Sequence, residues 1–90
     1  MYALAPEIAQ VETEYGLVLL DQAKGKYFNL NPSGLIVLRE MLRSGDENDA
    51  VAALTAEFAV DENIATEDVR GVVEALVGAG ILVRATEPAG

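Results

Sequence analysis

The 90-residue sequence contains no cysteine, no histidine and no tryptophan. Without cysteine and histidine there is no thiolate nucleophile, no imidazole base, no disulfide and none of the usual zinc ligand sets. A serine triad is excluded as well, because Ser33 and Ser44 have no histidine partner in the chain. We therefore predict that the protein is not an enzyme and that it uses no metal and no cofactor.

Basic side chains are scarce. Six Lys and Arg stand against fifteen Asp and Glu, which gives a formal net charge of −9. DNA, RNA and anionic membrane surfaces all repel a protein of this charge. Five of the acids lie at predicted helix starts, where the helix dipole accounts for them without catalysis: Asp46, Glu47, Asp49, Glu67 and Asp68. We expect no nucleic-acid partner and no membrane partner.

Long apolar runs are also missing, since no run approaches the length of about 18 residues that spans a membrane. The first residues lack the basic start of a signal peptide and carry Glu7 and Glu12 instead. We expect a cytoplasmic protein. The hydrophobic share of 51% is ample for one small core. We predict a single domain over residues 1–90 with its core over about 8–83, and loose segments at 1–7 and 86–90.

The first third of the chain shows the patterns of β-strands. Residues 8–12 alternate weakly, and the apolar run 17–20 ends at Asp21. A turn over 22–25 follows, in which Gly25 is free to adopt a positive φ. Residues 26–30 then alternate about the pleat. The spacing predicts a hairpin of the two later strands, with 8–12 added as a third antiparallel strand.

From Asn31 onward the apolar period is helical. Asn31 with Pro32 is a typical helix start, and the stripe that follows stops at Ser44-Gly45. Asp46 is expected to cap a second helix. After a break over 60–63, a third helix capped by Thr66 or a neighbour is predicted to run to Gly78, before a short apolar segment at 81–83. The order indicates an α+β, winged helix-turn-helix-like fold: a three-stranded antiparallel sheet followed by three helices.

This fold hosts both DNA-binding and protein-binding functions, so it does not decide the role. The strand 26–30 ends the predicted sheet, and one of its edges should lack a partner unless the 81–83 segment covers it. An open edge is a template for strand addition by a peptide. The third helix carries apolar residues over two adjoining rows, so a groove between strand and helix is one interpretation. The alternative is that Val69, Val72, Val73 and Leu76 are ordinary core.

Three short stretches carry a resemblance to a known family. They are Leu19-Leu20-Asp21, Gly25-Lys26-Tyr27-Phe28 and Leu30-Asn31-Pro32-Ser33-Gly34. In this order and spacing they resemble the PqqD-like proteins, also called RiPP recognition elements. Those proteins bind the leader peptides of ribosomally made, post-translationally modified peptides. The similarity continues through Gly45 and Phe58 to Gly80-Ile81-Leu82 and covers about residues 8–83.

The resemblance implies a binding site as well as a fold. In the family, the leader peptide adds antiparallel to the third strand and lies against the third helix. Leaders of lasso-peptide pathways commonly carry a Tyr-x-x-Pro motif that enters apolar pockets. The corresponding positions here are Lys26, Tyr27, Phe28, Asn29, Leu30, Asp68, Val69, Val72, Val73 and Leu76. Asp68 is expected to meet a polar or cationic group of the leader, with Arg70 and Glu74 flanking the groove.

The small free-standing size looks most like the leader-binding proteins of lasso-peptide biosynthesis. The resemblance therefore implies a non-catalytic adaptor that presents a precursor peptide to a separate leader protease of the cysteine-protease type. Three alternatives stay open at this point. One is a PqqD-type chaperone that delivers a precursor to a radical SAM enzyme, another is a winged-helix transcription regulator, and the third is a dimerisation domain that pairs through its open edge.

Overall fold

The computed structural model describes residues 1–84, so the predicted loose segment at 86–90 lies outside the described residues. The described chain contains five strands and three helices. In chain order they are β1 (Tyr2–Leu4), β2 (Ile8–Thr13), β3 (Gly16–Asp21), β4 (Lys26–Leu30), α1 (Pro32–Arg43), α2 (Glu47–Glu57), α3 (Glu62–Gly78) and β5 (Leu82–Arg84). The predicted α+β class is confirmed, with three helices following an antiparallel sheet.

The main sheet has the strand order β2-β3-β4 with antiparallel pairing throughout. On its inner face, Leu19 lies opposite Phe28 and Leu17 lies opposite Leu30. Leu17 and Leu19 are buried, since the inner face of β3 packs on the helices. The β3–β4 turn is held by the Asp21 carboxylate, which accepts hydrogen bonds from the backbone N–H groups of residues 23 and 24. The predicted hairpin is thereby confirmed.

Helices α1 and α2 begin where the capping residues predict. The Asn31 side chain accepts a hydrogen bond of 2.9 Å from the backbone N–H of Gly34, and Pro32 occupies the first turn. Asp46 accepts from the N–H of Asn48 at 2.8 Å. These caps satisfy helix N–H groups that have no partner within the helix.

The predicted start of α3 is wrong. The helix begins at Glu62, and Asp61 is its cap, accepting a 2.7 Å hydrogen bond from the N–H of Asn63. Thr66 lies inside the helix, where its hydroxyl donates to the carbonyl oxygen of Glu62. The first turn of α3 is exposed and holds a single apolar residue, Ile64, so it shows no apolar period and the sequence pattern there is that of a loop.

The prediction of a loose segment at residues 1–7 is also wrong. β1 pairs antiparallel with β5 in a second, two-stranded sheet, with Tyr2 opposite Arg84 and Leu4 opposite Leu82. The expected apolar segment at 81–83 thus leads into β5, and Ile81, just before the strand, and Leu82, its first residue, are both buried. Two three-residue strands about eighty residues apart leave no local period, so only the three-dimensional fold shows their pairing.

One hydrophobic core joins the sheet, the helices and β5. Its most buried large side chains come from β3, all three helices and the segment at the start of β5. They are Leu19, Val37, Leu38, Met41, Leu54, Val69, Leu76, Ile81 and Leu82. Because β3 is central in the sheet and most buried, β4 is left at the periphery, where it faces α3.

A candidate peptide-binding groove between β4 and α3

Strand β4 forms one edge of the main sheet. Within residues 1–84 its one strand partner is β3, because β5 pairs with β1 and not with β4. The backbone of the outer edge of β4 is therefore available for another strand. Alternation about the pleat sends Phe28 and Leu30 toward the helices and Tyr27 and Asn29 toward the opposite face.

A groove of about 390 Å³ lies between β4 and α3. One wall comes from the second half of β4, and the other from residues of α3 that recur at helical spacing. The lining residues are Phe28, Asn29, Leu30, Glu67, Asp68, Gly71, Val72, Ala75 and Leu76. The groove runs along an unpaired strand edge, so a bound extended chain would gain both backbone hydrogen bonds and contacts with the helix.

The chemistry of the groove is mainly apolar with acid at one end. Phe28, Leu30 and Val72 are half-buried and present hydrocarbon to the groove. Glu67 and Asp68 are exposed and mark the end of the groove nearer the start of α3. The arrangement can bind apolar side chains along its length and a cationic group beside the two carboxylates.

Two further recesses adjoin this groove at its Leu30 end. A recess of about 810 Å³ shares Asn29, Leu30 and Val72 with the groove and extends to the β2–β3 turn at Tyr15. A smaller one of about 330 Å³ shares Asp68 with the groove and is bounded by Phe58 and Val60 among others. The concave surface is therefore longer than β4 itself.

The structure brings some of the predicted site residues together and separates others. Phe28, Asn29, Leu30, Asp68, Val72 and Leu76 all line the groove. Lys26 and Tyr27 are exposed on the first half of β4, beyond the groove lining. Val69, Val73 and Leu76 are 0%, 6% and 1% exposed and belong to the core, as the alternative interpretation of the helix stripe holds, although Leu76 also borders the groove. Peptide binding by each of the ten stays a prediction.

Arg70 and Glu74, expected to flank the groove, are exposed residues of α3 and do not line it. Three groove residues escaped the sequence analysis, namely Glu67, Gly71 and Ala75. A signal for two of them exists, because residues 68, 71, 72 and 75 follow the i, i+3, i+4, i+7 spacing of a single helix face. Gly71 and Ala75 are small and add nothing to an apolar stripe, so hydrophobic patterning does not single them out.

No group of three or more Asp and Glu side chains within residues 1–84 could hold a metal ion. None of the helices in that part of the chain has the length and apolarity needed to cross a membrane.

Most of the sequence matches a known protein family. A family model described as "Coenzyme PQQ synthesis protein D (PqqD)" matches residues 16–82, which include β3, β4 and all three helices. The chain belongs to the PqqD family. No curated protein sequence gives a significant match to this PqqD-family protein.

Two solved structures share the fold of this PqqD-family protein. One is described as "Lasso peptide synthetase B1 complexed with the leader peptide" and is 31% identical in sequence with a TM-score of 0.82. The alignment covers 92% of this chain and 98% of that one. The other, "TbiB1 in Complex with the TbiA(beta) Leader Peptide", is 25% identical with a TM-score of 0.76, covering 93% and 98%. Both of these relatives are complexes with a leader peptide, and the expected resemblance to RiPP recognition elements is confirmed.

Proposed function

We propose that this PqqD-family protein binds the leader segment of a ribosomally made precursor peptide, which adds as a strand to the open edge of β4. The single observation that carries the proposal is the groove of about 390 Å³ between that edge and α3. The likeness to lasso peptide synthetase B1 in complex with a leader peptide, at 31% identity, supports it.

Strand addition gives the bound peptide a direction. All strand pairs of the described structure are antiparallel, and antiparallel ladders are slightly more stable per residue than parallel ones. An antiparallel peptide would begin near Leu30 and end near Lys26.

A complex of micromolar to nanomolar affinity requires a binding free energy of about 8–12 kcal/mol. A short ladder with two or three apolar anchors can supply that after the cost of ordering the peptide.

The proposed role is that of a non-catalytic adaptor in the cytoplasm, which presents the precursor to a separate leader protease of the cysteine-protease type. The lack of cysteine and histidine supports this division of labour, because the adaptor has no residues for a Cys–His or a Ser–His–Asp protease site. The family model supports a second candidate, a chaperone that delivers a precursor to a radical SAM enzyme. The two lasso-peptide complexes favour the first candidate.

Fluorescence anisotropy of a labelled leader peptide, titrated with the protein, tests the binding step. The leader comes from the precursor gene next to this one, and a scrambled peptide of equal charge is the control. Since the protein has no tryptophan, a tryptophan placed in the peptide reports its burial without background. We expect saturable binding below about 10 μM, or about 7 kcal/mol. Absence of binding to the leader would refute the proposal.

Substitutions inside and outside the groove test whether the leader binds there. Phe28→Ala and Val72→Asp change half-buried groove residues, whereas Glu57→Ala changes an exposed residue at the end of α2. We expect the first two to weaken binding at least tenfold and the third to leave it unchanged. Val73→Asp is a poor choice because Val73 is buried in the core, where an unpaired charge unfolds a domain. Equal binding by the three folded variants would contradict the groove assignment.

A cleavage assay separates the two candidate pathways. The purified leader protease of a lasso-peptide pathway is mixed with its precursor, with and without this protein. We expect faster leader removal with wild-type protein and no acceleration with the Val72→Asp variant. Acceleration of a radical SAM modification instead, with no effect on proteolysis, would favour the second candidate.

A further inference from the structure

Gly71 occupies an unusual place for glycine. It lies in the interior of the 17-residue helix α3, with ordinary helical backbone, since the glycines with positive φ are at positions 16, 25, 45 and 80. An exposed helix interior disfavours glycine relative to alanine by about fivefold in the folding equilibrium. Neither a turn nor a cap explains the residue.

Packing within the domain does not explain Gly71 either. A β-carbon built on it has no other described atom within 4 Å, its own helix backbone and chain neighbours apart. Gly34 in α1 shows the contrast, because a β-carbon there would lie 3.3 Å from the Asn31 side chain. A β-carbon on Gly34 would press on its neighbours in the domain, whereas one on Gly71 would not.

Gly71 is one of the residues that line the groove, and helical spacing puts it on the same face of α3 as Asp68, Val72 and Ala75. Gly71 lies on the α3 wall between Asp68 and Ala75, and the wall opposite consists of Phe28 and Leu30 from β4. A side chain at position 71 would take up groove volume. Glycine at position 71 therefore leaves space free in the proposed binding groove.

We infer that Gly71 sets the size of the side chain that the groove accepts, so that a large apolar or aromatic side chain of the bound peptide lies against it. The inference rests on the proposed function, because a peptide strand added to β4 directs every second side chain toward α3. One of those side chains lies beside position 71. The lining around it is mostly hydrocarbon, which favours an apolar or aromatic occupant over a charged one.

Two substitutions test the inference, and the chain offers a matched control. Gly71→Ala adds one methyl group to the groove wall and Gly71→Leu adds an isobutyl group. Gly78, the last residue of the same helix, is also exposed with no atom within 4 Å of a built β-carbon, yet it does not line the groove. Gly78→Ala therefore reports the effect of a helix-favouring change alone.

Stability and leader affinity are expected to move in opposite directions at position 71. Gly71→Ala should raise the folding equilibrium constant about threefold to fivefold in urea denaturation. Extra methylenes in a packed protein core cost about fivefold to 150-fold in the folding equilibrium, and the same crowding would act on a peptide side chain packed against position 71. We therefore expect Gly71→Ala to weaken leader binding at least fivefold and Gly71→Leu at least thirtyfold. Gly78→Ala should leave leader affinity unchanged.

A peptide series identifies the occupant. Each leader position in turn is replaced by alanine, and every peptide is titrated against wild-type protein and Gly71→Leu. We expect one position at which alanine weakens wild-type binding but restores much of the binding lost by Gly71→Leu. Wild-type binding with unchanged affinity in both Gly71 variants would overturn the inference and leave the proposed function intact. Failure of wild type to bind any leader would overturn both.

Discussion

A β-carbon placed on Gly16 would collide with the carbonyl oxygen of Leu30. Gly16 opens β3 with a φ of +144°, and Leu30 closes β4 at the groove. The close approach ties the end of the edge strand to the centre of the sheet. No side chain fits at position 16, because the backbone of the groove residue Leu30 fills that space.

The first prediction concerns this contact. Gly16→Ala should lower the free energy of unfolding by about 3 kcal/mol, because it combines an unfavourable φ with a clash against backbone. Gly25→Ala is the control: its φ is +67° but no atom of the described chain lies within 4 Å of a built β-carbon. Its cost should be about 1 kcal/mol. Urea denaturation measures both, and equal losses would show that the clash with Leu30 relaxes freely.

The second prediction concerns the hairpin that positions β4. The buried Asp21 carboxylate accepts hydrogen bonds of 3.1 Å from the N–H groups of Ala23 and Lys24. Asp21→Ala leaves those donors without that partner and should cost about 1–2 kcal/mol of stability. Asp21→Asn keeps an acceptor oxygen and should cost less than half of that amount. Chemical denaturation measures the stability of both variants. A larger loss for Asp21→Asn than for Asp21→Ala would contradict the role of the Asp21 side chain as hydrogen-bond acceptor in the turn.

The third prediction distinguishes the two candidate starts of α3. Asp61→Ala removes the cap and should lower stability by about 1 kcal/mol. Thr66→Ala removes a hydroxyl that bonds back to a carbonyl inside the helix, and should change stability by less than about 0.5 kcal/mol. Thermal unfolding followed by circular dichroism compares them. A larger loss for Thr66→Ala would place the helix start where the sequence pattern alone had it.

The fourth prediction concerns the acidic end of the groove. Replacing Glu67 with Gln and Asp68 with Asn should weaken a leader that carries Lys or Arg by about twofold to fivefold at low salt. The difference should vanish near 0.5 M salt, where the screening length is only about 4 Å. Glu57→Gln is a control with an exposed acid of α2 outside the groove. Anisotropy titrations at the two salt concentrations measure the effect, and a salt-independent loss would argue against a cationic contact.

The strand and cap patterns were predictable because their causes are local. Gly25 in a short turn and Asn31 before Pro32 each act within four residues, so the hairpin and α1 follow from the sequence. Asp61 carries the same kind of signal as Asn31. It was missed because the turn after it exposes all of its side chains, and an apolar period starts only at Ala65.

Residues of the groove were harder to predict than the elements that form it. An apolar stripe on α3 shows that the helix is buried on one side, but Val69 and Val72 are equally apolar. Their different placements, one in the core and one at the groove, depend on which side of α3 the sheet covers in the folded domain. Gly71 and Ala75 illustrate the other failure, because the groove depends on small side chains that hydrophobic patterns ignore.

The pairing of β1 with β5 has a mechanical consequence. Tyr2 and Arg84 face each other at the outer end of the two-stranded ladder. Tension applied between residues 2 and 84 would load the strand pairs one after another, starting with Tyr2 and Arg84, and not all three pairs at once. Such geometry yields at low force. The outer pair of Tyr2 and Arg84 would therefore separate first under load, whereas the inner pair of Leu4 and Leu82 would resist longer because Leu82 is buried in the core.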